Sequence, residues 1–176
     1  MSIRDDYNAH LEGLSGWLIL VGIGVTIAPL GLAVAIFSIY HSLTADTMAA
    51  LTTPGSSAYI PHFATFLVIQ LLIYLVVFIA SVVKALFFYT KNYRFPRLYI
   101  ALAIAYPLVV FVNAWLSSLV LPNVQGIFDK STLHNLLSTL LPAAIWIPYM
   151  LMSERVALTF VRGRKAVSSP LVAAED

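Results

Sequence analysis

The sequence predicts an all-α membrane protein: four transmembrane helices in an antiparallel bundle, N-in/C-in. Three observations predict it. Hydrophobic residues make up 60% of the chain and charged residues only 10%, against roughly 25% charged in ordinary soluble domains, and the mean hydropathy is +0.89. The apolar residues gather into runs at 17–40, 63–89, 98–120 and 134–152, each close to or beyond the roughly 20 residues that carry a helix across about 30 Å of hydrocarbon. Nine of the ten Lys and Arg residues fall on one side once these runs are threaded through a bilayer. Strands are excluded, because the runs are continuously apolar and far longer than the roughly 10 alternating residues of a barrel strand. The spans and their short loops form a single domain over 1–166, followed by a frayed tail at 167–176.

The first span follows a leader with Asp5, Asp6 and Glu12 against only Arg4. Such a leader and so long a run are unlike a cleaved signal peptide, so this helix is expected in the mature protein. Gly13-Leu14-Ser15-Gly16 reads as a turn or helix start before Trp17; it lacks the partner acid and strand context of a nucleophile elbow. At about 100° per residue, Gly24, Ala28, Gly31 and Ala35 share one narrow sector. Small residues let backbones approach in lipid, so this is the expected close-packing face. Pro29 lies on another side and removes one backbone hydrogen bond.

After Tyr40, residues 44–52 suit a short surface helix ended by Thr53, Pro54 and Gly55. The second span carries Gln70, Tyr74, Ser81 and Lys84 on one face, and the third carries Tyr106, Asn113 and Ser117. The fourth, with Ser131 as its expected N-cap, carries His134, Ser138 and Tyr149 and is interrupted by Pro142 and Pro148. Beyond Glu154 the helix is expected to continue into the headgroup region. Polar groups avoid hydrocarbon, so the three polar seams are expected to converge inside the bundle, closed by the first helix.

Charge orients the bundle. The 41–62 loop has no Lys or Arg, and the loop before the fourth span has only Lys130 beside Asp129. Lys91, Arg94 and Arg97 join the middle spans, and Arg155, Arg162, Arg164 and Lys165 follow the last. Basic short loops stay cytoplasmic, which places both termini and the middle loop on the cytoplasmic side and the two less basic loops outside. Arg94, Arg97, Arg155, Arg162, Arg164 and Lys165 then form a collar for anionic lipid headgroups or a membrane-protein partner, at roughly 1 kcal/mol per charge near the lipid surface. This is membrane anchoring and not nucleic-acid binding.

Several chemistries are excluded or unsupported. The chain has no cysteine, which removes disulfide exchange, thiolate catalysis and Cys-based metal sites. It has no Gly-rich phosphate loop, nucleophile motif or paired carboxylate site, so no enzyme activity and no cofactor are expected. No Asp or Glu stands in the middle of a span, so a proton-coupled exporter would lack its usual carboxylate. His41, His62 and His134, with Asp46 and Asp129, are weak metal candidates whose spacings match no metal motif.

Two readings compete for the interior. Gln70 and Asn113 serve either as interhelical hydrogen-bond glue or as the lining of a path. Lys84, about 10 Å deeper than Lys91 along its helix, is expected to snorkel to the interface with Glu154 as its nearest carboxylate; the other option is a pathway for an anionic group.

Gly16-Trp17-Leu18-Ile19-Leu20 leading to Pro29, Arg94-Phe95-Pro96 before the third span, Ile145-Trp146-Ile147-Pro148-Tyr149, Ser153-Glu154-Arg155-Val156 and Thr159-Phe160-Val161 resemble the YdgK-like family. These are small four-helix bacterial inner-membrane proteins catalogued as domain of unknown function 2569. The resemblance runs from about Gly13 to Val161; it implies the four-span topology and no particular activity. The family pattern often has a carboxylate early in the second span, where this chain has Phe66-Leu67-Val68-Ile69-Gln70.

The expected role is a non-enzymatic accessory or scaffold component of a membrane assembly, with a small transporter or lipid-handling protein as the alternative. A dry, fully packed interior would favour the first. A cavity bounded by Gln70, Tyr106 and Asn113 would favour the second.

Overall fold

The computed structural model describes residues 14–121 and 127–161. Six helices follow in order among them: α1 (Trp17–Ser42), α2 (Ala45–Thr52), α3 (Phe63–Tyr89), α4 (Phe95–Val120), α5 (Lys130–Met152) and α6 (Glu154–Thr159). The four long helices have 26, 27, 26 and 23 residues and are long and apolar enough to cross a membrane; at 1.5 Å per residue they extend about 35–40 Å. The protein is a multi-pass, four-span helical bundle.

Local chemistry sets the ends of these helices. Gly16 precedes α1 at φ 60° and ψ −135°, a region that essentially only glycine populates. Thr44 caps α2 by accepting the Thr47 N–H. The α3–α4 turn is a Schellman closure: the Asn92 N–H donates to the Phe87 carbonyl at 3.0 Å and the Lys91 N–H to the Phe88 carbonyl at 3.1 Å. Lys91 takes the left-handed position at φ 50°, and Asn92 Oδ1 accepts the Arg94 N–H at 2.9 Å. This tight reversal sets Phe88 and Phe95 face to edge, 5.1 Å apart.

Two expectations at α5 need correction. Its N-cap is Asp129, not Ser131: Asp129 Oδ1 accepts the Thr132 N–H at 2.7 Å, and the Ser131 hydroxyl donates to Oδ2 at 2.8 Å. A carboxylate suits that place because the first-turn N–H groups and the helix dipole favour negative charge. At the other end α5 stops at Met152 and does not run on past Glu154. Ser153 takes an extended conformation and its hydroxyl accepts the Val156 N–H, starting the separate α6. Backbone accommodation at Pro29, Pro107, Pro142 and Pro148 occurs inside continuous helices.

Packing follows chain order, α1 against α3, α3 against α4 and α4 against α5. The tight core is confined to one end, which also carries Lys91, Arg94, Arg97 and Arg155 and is called the basic end here. Leu18, Val21, Val25, Phe88, Phe95, Met150, Val156 and Phe160 are buried there. Three phenylalanines form its centre: Phe160 stacks on Phe95 at 4.5 Å and lies 5.8 Å from Phe88. Trp17 meets Trp146 edge-on at 6.4 Å, and the Arg155 guanidinium donates to the Ser15 hydroxyl, so the first and last long helices are tied at this end.

Within the expected close-packing stripe on α1, Ala28 and Ala35 are half-buried, whereas Gly24 and Gly31 are exposed. A Cβ built on Gly24 or Gly31 meets nothing within 4 Å. The close approach is instead at Gly22, where a Cβ would lie 2.9 Å from Phe88 Cε1 and 3.0 Å from Cζ. A helix that is apolar all round carries no pattern that distinguishes its protein-facing side from its lipid-facing side.

Candidate functional site

Away from the basic end the bundle is hollow. A cavity of about 520 Å³ is bounded by Ala28 and Leu32 of α1, Gln70, Tyr74 and Val77 of α3, Tyr106, Val109, Val110, Asn113, Ala114 and Ser117 of α4, and Ser131, Thr132, Asn135 and Thr139 of α5, with Leu121 and Asp129 at its rim. It reaches from the middle of the spans to the end where α5 begins. Short side chains at Ala28, Ala114 and Ser117 leave the space, whereas Phe, Leu and Met fill the same axis at the basic end.

Five seam residues, Gln70, Tyr74, Tyr106, Asn113 and Ser117, come together on this cavity. Gln70 and Asn113 make no interhelical hydrogen bond through their amide oxygens. Their amide oxygens are buried and have no hydrogen-bond partner, a costly state because a desolvated polar atom is left unpaired. Since each amide can rotate end for end, either its oxygen or its NH₂ can be offered to the hollow.

The remaining seam residues lie elsewhere. Ser81 is fully buried and its hydroxyl donates to the Phe78 carbonyl at 2.7 Å. Ser138 is exposed and donates to the Asn135 carbonyl at 2.8 Å, while Tyr149 packs edge-on against Trp146 at 5.7 Å beside the basic-end core. His134 is also exposed. The inward face of α5 is a different one, marked by Thr132 and Met150, both buried and roughly five turns apart. Asn135 and Thr139 continue it into the cavity, and their spacing of three and four was the signal that could have found this face in the sequence.

Lys84 does not snorkel and does not meet Glu154. It is 6% exposed, its ammonium donates to the Tyr106 hydroxyl at 3.4 Å, and it lies over the Tyr106 and Tyr99 rings at 5.1 and 5.6 Å. The physical reason is helix direction: Cα–Cβ bonds tilt toward the N-terminus, and the N-terminus of α3 is at the end away from the basic loop. Lys84 therefore reaches into the bundle, beneath the cavity floor. Glu154 is exposed at the start of α6.

At the collar, Arg94 Nε donates to the Tyr93 hydroxyl at 3.0 Å, Arg97 borders a small pocket with Tyr93, Pro96 and Phe160, and Arg155 is held by Ser15. Arg162, Arg164 and Lys165, together with Arg4 and the 167–176 tail, lie outside the described residues. His41, His62 and His134 are not gathered into a cluster of three metal-ligating side chains among the described residues; His41 packs on Phe37 at 5.7 Å.

The fold and site thus define a four-span membrane protein with a polar-lined cavity in one half of the bundle. Residues 11–161 match the family described as Protein of unknown function (DUF2569), and the chain belongs to that family. No curated protein and no solved structure matches it.

Proposed function

We propose that this protein holds a small molecule in its membrane-embedded cavity, acting as a small transporter or lipid-handling protein. One observation carries the reading: the Gln70, Tyr74, Tyr106, Asn113 and Ser117 side chains converge on one hollow of about 520 Å³. Ligand sites typically enclose about 300–1,000 Å³ and combine apolar walls with a few convergent polar groups. An accessory or scaffold component would need no such hollow, and a packed interior would be the more stable arrangement. The role is non-enzymatic, in line with the lack of any catalytic constellation in the sequence.

The test is native mass spectrometry of the protein released from mild detergent, comparing wild type with Ala114→Phe, which fills the cavity. A bound small molecule or lipid that wild type retains and Ala114→Phe loses is expected, with both proteins folded. Identical spectra would refute the reading.

In orientation, both termini and the basic collar face the cytoplasm of a bacterial inner membrane, as the resemblance to YdgK-like proteins implies, and the collar contacts anionic lipid headgroups. A cysteine placed at Ser56 should react with an impermeant maleimide in intact cells; labelling only after lysis would reverse the orientation.

A further inference from the structure

We propose that the cavity takes a monoanionic amphiphile, a single-chain carboxylate, whose head group is received by Tyr106 with Lys84 behind it. The inference rests on the cavity-binding reading and adds the chemical class of the ligand.

Lys84 is a buried cation whose polar contact among the described residues is a neutral phenol. The acidic residues among those described are Asp46, Asp129 and Glu154. Asp129 is already occupied at the N-terminus of α5 by the Thr132 N–H and the Ser131 hydroxyl, and Glu154 is exposed at the basic end. A desolvated ammonium is costly without a counter-ion, and two aromatic faces offset only part of that cost. Lys84 is therefore a positive charge with no negative partner among the described residues, joined through Tyr106 to the hollow.

Tyr106 connects the two. It borders the cavity and its oxygen accepts from Lys84 Nζ, so its own proton has no acceptor among the described residues. A hydroxyl that accepts from an ammonium is polarised and becomes a stronger donor. An anionic oxygen in the cavity would accept from Tyr106 and gain the field of Lys84 through it. The Gln70 and Asn113 amides on the cavity add neutral donors through their NH₂ groups, while Leu32, Val77, Val109 and Val110 offer an apolar wall. One cation with neutral donors matches a carboxylate better than a phosphate dianion, which recruits several basic groups. A cationic ligand is disfavoured, because Asp129, the carboxylate among the described residues on the cavity, is already bonded by the Thr132 N–H and the Ser131 hydroxyl.

The test is fluorescence titration of the full chain in nanodiscs with 11-(dansylamino)undecanoic acid and, separately, with its methyl ester. Wild type is expected to bind the acid, with decanoate displacing it. Lys84→Gln and Tyr106→Phe are each expected to weaken the acid by about tenfold or more, the scale of one charge-assisted hydrogen bond, and to leave the ester unchanged. Lys84→Arg should restore much of the loss, and Tyr106→Phe covers the case in which Lys84→Gln does not fold. Equal binding of acid and ester, unaffected by either substitution, would overturn the anion inference while leaving the cavity reading standing. Binding of neither probe to wild type would overturn both.

Discussion

Replacing Gly22 with alanine sets two opposing effects against each other, and the structure decides the balance. In a helix interior, Gly to Ala gains about 1 kcal/mol from backbone entropy. The new Cβ, however, would stand 2.9 and 3.0 Å from two atoms of the Phe88 ring. That ring is 1% exposed and packed among Tyr89, Phe95 and Phe160 at 5.3, 5.1 and 5.8 Å, so moving it would disturb those contacts. Overpacking of this kind costs about 1–3 kcal/mol. Gly24→Ala is the matched control, with the same propensity gain on the same helix and open space around the added methyl. The difference between the two variants isolates the clash at about 1–3 kcal/mol, or about 2–12 °C in apparent Tm for a chain of this size. Tryptophan-fluorescence melting in one detergent measures it, with Gly24→Ala at or above wild type and Gly22→Ala clearly below Gly24→Ala. A Gly22→Ala protein as stable as Gly24→Ala would refute the claim that α1 and α3 are locked at this point.

Two further outcomes follow from the hydrogen bonding. The Thr26 hydroxyl donates to the Gly22 carbonyl at 2.7 Å, so in its contact with Tyr89 it must be the acceptor and the tyrosine the donor. Thr26→Val and Tyr89→Phe should each cost about 0.5–1.5 kcal/mol, and the double variant little more than either alone, in a thermal double-mutant cycle; full additivity would mean the pair does not interact. The Asp129 carboxyl is held below its ordinary value of 3.8 by the Thr132 N–H, with the Thr132 and Ser131 side chains adding to the effect. A lowered native pKa gives stability that is present above the unfolded value and lost as pH falls through the native one. Asp129→Ala should therefore lower Tm at neutral pH and flatten its fall on acidification below about pH 4; an unchanged acid slope would mean that the cap is not what titrates.

The span positions were legible because a bilayer imposes a length and a polarity on every crossing, and continuous apolar runs state both. The second run matches α3 residue for residue, and the others gain a few residues where caps and prolines, not hydropathy, set the ends. The cavity was legible in part. Gln70, Tyr74, Tyr106, Asn113 and Ser117 share faces by spacing alone, and only a few polar residues stand in each span, so the count of candidates was short. On α5 the same rule selected Ser138 and Tyr149 over Asn135 and Thr139, because a helix with polar residues on several sides has no single periodic signal. Lys84 departs from the snorkelling expectation for a directional reason: its distance to the interface favours snorkelling, whereas the tilt of side chains toward the helix N-terminus sends it the other way.

By itself the sequence determined the solvent, the number of crossings and the polar residues that must be sheltered, because each of these is a property of a run or a composition. Only the tertiary structure decided that the bundle is packed at its basic end and hollow at the other. It also decided that Gly22, and not Gly24 or Gly31, meets a neighbouring helix, and that among the described residues a buried cation, Lys84, contacts the tyrosine that borders the hollow. Those facts depend on the rotation of each helix about its axis and on which side-chain volumes meet at each level. In lipid, where every helix surface is apolar, no pattern of hydropathy fixes that rotation.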